Sequence, residues 1–154
     1  MQPLNYFFAS VISFLGLLAG FMLIKTAPEE QKPLQKYFVF FRKLLLLPVS
    51  VFLIFYYFND LIYFIVLILP IFFLLLTEYK TKDLGKKLAI SYSIFGILFY
   101  MSSKNMNLFA IESSLIFLYG LPAASLIYRK GKNQKMIFYG IGFIAVSNIL
   151  FLTI

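Results

Sequence analysis

The sequence predicts an all-α integral membrane protein: six transmembrane helices, arranged as three helical hairpins closed by basic cytoplasmic loops. Three observations predict it. Apolar residues make up 62% of the 154 residues and charged residues only 13%, against about 45–50% and 25% in an ordinary soluble domain. The polar residues gather into islands at 25–36 (KTAPEEQKPLQK), 77–87 (TEYKTKDLGKK) and 129–135 (RKGKNQK). The positive charge sits almost wholly in or beside those islands.

That placement decides how the net charge of +8 is read. Thirteen of the 14 Lys and Arg lie on the island side and only Lys104 elsewhere, while Asp60 and Glu112 are the only acids off the islands. The island side therefore carries +9 and the opposite side −1. A one-sided excess of Lys and Arg marks the cytoplasmic face of a multi-pass protein. It explains the basic charge without nucleic acid. The expected setting is the cell membrane, with both termini outside. The basic loops are expected to meet anionic lipid headgroups. One transmembrane domain, 1–154, is expected.

Helix 1 is expected at about 4–24. Its run 6–24 is long enough for a bilayer core of roughly 30 Å. MQPLN lacks a positive charge and no small-x-small site follows, so the run reads as a span rather than a signal peptide. Gly16 and Gly20 form a G-x-x-x-G, a spacing that lets a second backbone approach closely. Helix 2, about 34–58, follows Pro28 and Pro33. Its Arg42 and Lys43 are expected to snorkel to the headgroups, and Pro48 to kink it.

Asn59 or Asp60 suits the N-cap of helix 3, about 61–79, which Pro70 is expected to break. Glu78/Lys82 and Asp83/Lys87 stand at i, i+4 and read as solvated helix-end pairs. Helix 4, about 85–102, carries the small residues Ala89, Ser93 and Gly96. Helix 5, about 108–128, carries Gly120 and Ala124, which stand 104 residues after Gly16 and Gly20, and Pro122. Helix 6, about 136–154, carries Ser147 and Asn148. Tyrosines, in place of the absent tryptophan, are expected to form the interfacial belts: Tyr37, Tyr79 and Tyr128 on the island side, Tyr6, Tyr56, Tyr57 and Tyr100 opposite. The islands recur about every 50 residues, which raises the prospect of a repeated hairpin.

Chemistry is sparse. With no Cys and no His, thiolate nucleophiles, imidazole bases and Cys/His zinc sites are excluded. No G-x-S-x-G, H-E-x-x-H or Gly-rich phosphate loop occurs. Asp60 and Asp83 fall on opposite faces, so no aspartyl dyad forms. No catalytic residue, cofactor or metal site is predicted, and an enzyme is disfavoured. Glu112, the only acid within an apolar run, heads a polar candidate site with Ser113, Ser147 and Asn148. Lying one turn from the expected start of helix 5, it favours an interfacial carboxylate. Deeper in, it would require a partner, such as Lys104 or the Asn148 amide.

Two functions follow. The favoured one is a non-catalytic membrane component, a subunit, assembly or immunity-type protein. It would act by packing helices against a membrane partner or a second copy. The alternative is a small carrier or channel unit with its site near Glu112 and Asn148. A lipid-modifying enzyme ranks third.

Overall fold

A computed structural model gives the fold. It describes residues 2–128 and 134–153, with the side chains at 134–137 and 139 outside the description. Residues 129–133 of the third island therefore lie outside it. Every described element is helical: α1 (Pro3–Thr26), a 3-10 turn (Pro28–Glu30), α2 (Gln31–Tyr57), α3 (Leu61–Lys80), α4 (Leu84–Ser102), α5 (Met106–Ile127) and α6 (Gln134–Thr153). Four helices are long and apolar enough to cross a membrane: α1, α2 with its preceding turn, α3 and α5. In α6, the stretch Gly140–Thr153 is a shorter apolar helix.

The connections are cut by side-chain caps that satisfy the first backbone donors of each helix. Asp60 accepts from the Tyr63 amide at 3.4 Å. Asp83 accepts from Gly85 at 2.8 Å and Lys86 at 3.2 Å. Asn105 accepts from Asn107 and Leu108 at 3.0 and 3.1 Å. This last cap starts α5 at Met106, two residues earlier than the sequence predicts, and so draws Glu112 deeper into the helix.

The expected break at Pro70 does not occur: α3 runs unbroken from Leu61 to Lys80. Pro48 and Pro122 likewise sit inside continuous helices. A proline costs one backbone hydrogen bond. Leaving a helix in apolar surroundings would expose many more unpaired groups.

The core lies among α1, α4, α5 and α6, with α2 against α5 and α3 against α4. Parallel helices α1 and α5 meet at backbone distance. A Cβ on Gly16 would stand 2.6 Å from the Phe117 carbonyl carbon, and one on Gly20 2.7 Å from Leu121 Cα. Gly120 faces the backbone of Gly16 and Leu17 in turn, and Ala124 is fully buried. Helices α4 and α6 also run parallel, with Gly96 against Phe143 and Val146.

Aromatic rings fill the space between these pairs. Tyr6 stacks on Phe151 at 4.0 Å, Phe99 meets Phe109 at 4.7 Å and Phe143 at 5.2 Å, and Phe95 meets Tyr119 at 4.8 Å. Tyr128, expected in an interfacial belt, is buried against Phe21, and two more tyrosines expected there, Tyr6 and Tyr57, belong to this interior. Tyr6 is buried and donates to the Ser147 carbonyl; Tyr57 is buried and donates at 2.6 Å to the Met101 carbonyl, closing the end of α4. Each hydroxyl finds a backbone acceptor, which lets the ring leave the surface. Tyr37, Tyr56 and Tyr79 stay exposed.

Candidate functional site

The sequence-nominated polar residues divide into two groups. Ser147 and Asn148 join residues of α1. The Asn148 side-chain amide donates to the Ser10 hydroxyl at 3.0 Å and to the Ile144 carbonyl at 2.8 Å. The Ser147 hydroxyl donates to the Ile144 carbonyl, while its own carbonyl receives Tyr6. The bonds to Ser10 and from Tyr6 cross between α6 and α1 and act as interhelical glue. Ser113 and Ser114 return their hydroxyls to carbonyls of their own helix, Phe109 at 2.6 Å and Ala110 at 2.9 Å.

Glu112 stands apart. It is fully buried, 0% exposed, which corrects the interfacial expectation. The α5 face that carries it also buries Phe109, Ile116, Tyr119, Gly120 and Ala123. Neither carboxyl oxygen has a hydrogen-bond partner among the described residues. Both partners suggested by the sequence are committed elsewhere. Lys104 lies 3.5 Å over the Tyr63 ring, and the Asn148 amide goes to Ser10. Lys104 is an exposed residue of the turn between α4 and α5, where the face of the Tyr63 ring attracts its charge.

A second polar constellation has no counterpart in the sequence reading. Arg42, expected to snorkel outward, is 3% exposed and turns into the bundle. Its Nη2 donates to Glu78 Oε1 at 2.6 Å. Lys87 donates from Nζ to the Glu78 carbonyl at 2.8 Å and lies 3.5 Å from the same Oε1. Glu78 is thus no solvated partner of Lys82. It joins α2, α3 and α4, with the three side chains no more than 10% exposed. The correction has a geometric cause: a pair four residues apart must share a helix face, whereas Glu78 faces inward and Lys82 is exposed beyond the end of α3. Its neighbour Lys43 is exposed, as a snorkelling residue would be.

Two turns separate Glu112 from Tyr119 on α5, about 10 Å at 1.5 Å per residue. Tyr119 is fully buried, with Ser91 and Arg42 as the hydrogen-bonding neighbours of its hydroxyl. Tyr92 is also fully buried, its hydroxyl unbonded among the described residues, and its ring lies 6.1 Å from that of Tyr119. Tyr119 thus lies near Arg42 of the triad, while two helical turns with the apolar Ile116 between separate it from Glu112. No cluster of His, Cys, Asp or Glu fit to hold a metal occurs among the described residues.

No family model matches this chain, and searches of curated proteins and of solved structures return no significant match.

Proposed function

We propose that this chain is a six-span membrane protein with basic loops in the cytoplasm and both termini outside, and that it works as a small carrier or channel unit at Glu112. The membrane reading is supported by the apolar side chains exposed all along α2 and α3, among them Phe40, Leu47, Phe55, Ile65, Leu69 and Phe72. Soluble monomers rarely expose contiguous apolar patches beyond a few hundred Å².

One observation carries the carrier reading: a carboxyl group fully enclosed by the bundle with both oxygens unpartnered. A carboxylate there must be compensated by a cation or a proton. Ionisable groups inside membrane helices mark ion and proton pathways more than they serve packing. In this mechanism Glu112 takes up the cation or proton, and Tyr119 lies two turns further along the same face. The buried ion triad holds the cytoplasmic end.

The test is chemical. Dicyclohexylcarbodiimide, an apolar reagent, adds across a protonated carboxyl and leaves a stable N-acylurea. Mass spectrometry of the protein treated in membranes should locate that adduct on Glu112. Adducts on Glu29 or Glu30 with Glu112 unmodified would overturn the assignment.

A second reading, packing against a membrane partner or a second copy, is favoured by a different feature. A shallow groove of about 320 Å³ opens between α4 and α6, lined by Ala89, Ser93, Ile97 and Val146 among others. Its small residues would let a foreign helix approach.

A further inference from the structure

We propose that the species Glu112 carries is a proton and not a metal cation. The inference rests on the carrier reading above and names its substrate. An enclosed carboxylate must be neutralised, and the two possible neutralisers make different demands. A proton needs one oxygen. A metal ion needs a shell of them, about 6–8 for calcium. In transporters, unwound stretches of helix supply carbonyl ligands for sodium and similar ions. Here α1, α2, α4 and α5 each run without a break, so their carbonyls stay in the helical ladder.

The side chains do not supply the shell either. One turn to each side of Glu112 on α5 stand Leu108, Phe109, Leu115 and Ile116, all apolar, and Ser113 gives its hydroxyl to the Phe109 carbonyl. The other acids are placed elsewhere. Glu29 and Glu30 are exposed before α2, Asp60 and Asp83 cap α3 and α4, and Glu78 holds Arg42. A side-chain cation does not take the metal's place. The buried titratable groups on the helices packed against α5 are Tyr6 of α1, Arg42 and Tyr57 of α2, and Lys87 and Tyr92 of α4. Arg42 and Lys87 are held by Glu78, and Tyr6 and Tyr57 donate to the Ser147 and Met101 carbonyls. Neither Glu112 oxygen has a hydrogen-bond partner among the described residues. A proton alone satisfies these surroundings. The step is a proton transfer: the Glu112 O–H bond breaks on contact with water at one side, the proton leaves as hydronium, and the carboxylate takes a proton from water at the other.

The test is competition between metal ions and dicyclohexylcarbodiimide on the full chain in membranes, at one fixed pH. Adduct formation on Glu112 is timed by mass spectrometry in sodium, potassium, calcium or N-methylglucamine chloride, each at about 0.1 M ionic strength. A metal ion bound at about ten times its Kd would slow the adduct about tenfold. A proton site predicts the same rate in all four salts. Protection by any of the metal ions overturns the proton assignment and leaves the carrier reading standing. No adduct on Glu112 in any salt overturns both. Transport gives the second arm. The protein in liposomes should dissipate an imposed pH gradient, and should leave a sodium, potassium or calcium gradient imposed at equal pH as empty liposomes do. A metal-ion flux that is lost in Glu112→Gln overturns the proton assignment alone, and no flux of any ion overturns the carrier reading with it.

Discussion

Replacing Gly16 with alanine adds one methyl group at the tightest glycine contact among the described residues. Its Cβ would stand 2.6 Å from the Phe117 carbonyl carbon and 2.8 Å from Phe117 Cα, with the carbonyl oxygen closer still. Ordinary carbon–carbon contact is about 3.5–4.0 Å, so α1 and α5 must separate by about 1 Å. The obstacle is backbone, which cannot rotate away as a side chain would. Overpacking of a tight core costs about 1–3 kcal/mol. Alanine also returns up to about 1 kcal/mol of helix propensity, and the clash dominates. The net loss of about 1 kcal/mol lowers Tm by roughly 2–4 °C for a chain of this size. Gly142→Ala is the matched control. The nearest atom to its Cβ is the Ser93 hydroxyl at 3.1 Å, which can turn aside, so its Tm should hold or rise. The protein has neither Trp nor Cys. Far-UV circular dichroism in detergent is therefore the assay, rather than indole fluorescence or thiol dyes. If Gly16→Ala melts within about 1 °C of wild type, the close contact of α1 and α5 is wrong.

Three further outcomes follow. Glu78→Gln leaves Arg42 and Lys87 buried without their carboxylate and should cost about 3–5 kcal/mol, while Lys82→Gln should stay within about 0.5 kcal/mol; equal melting of the two variants would refute the triad. Asn148→Leu removes the bond to Ser10 and should cost about 0.6–1.7 kcal/mol, read in the same melts. Because the chain has no native cysteine, Lys82→Cys should resist an impermeant maleimide in intact cells and Asn105→Cys should react. Reaction of Lys82→Cys from outside would reverse the proposed orientation.

The helices were readable because apolar runs and polar islands alternate on a scale far coarser than any error in their ends. The Asp60 cap was readable because the residue stands between two such runs. The Arg42–Glu78–Lys87 triad was hidden. Its members are 36 and 9 residues apart, and each has a nearer polar or charged neighbour that offers a simpler local explanation. Only the packing of α2, α3 and α4 selects among them. Tyr6 and Tyr57 misled for a related reason: a tyrosine near a helix end looks the same in sequence whether its ring faces outward or its hydroxyl bonds to a carbonyl of a neighbouring helix. Composition singled out Glu112 as the lone acid in an apolar run, but its depth depended on where α5 begins, which the Asn105 cap decides. The glycine spacing marked surfaces that permit close approach. That Gly16 and Gly20 meet α5, in parallel, is a property of the tertiary fold.

The most direct measurement is flux through Glu112. Wild type and Glu112→Gln should be reconstituted into liposomes loaded with pH- or cation-sensitive dye, after a melt confirms that both fold. The carrier account predicts that wild type dissipates an imposed proton or alkali-cation gradient faster than empty liposomes, and that Glu112→Gln falls to the empty-liposome rate. Equal flux through both proteins, or none above empty liposomes through wild type, would contradict it.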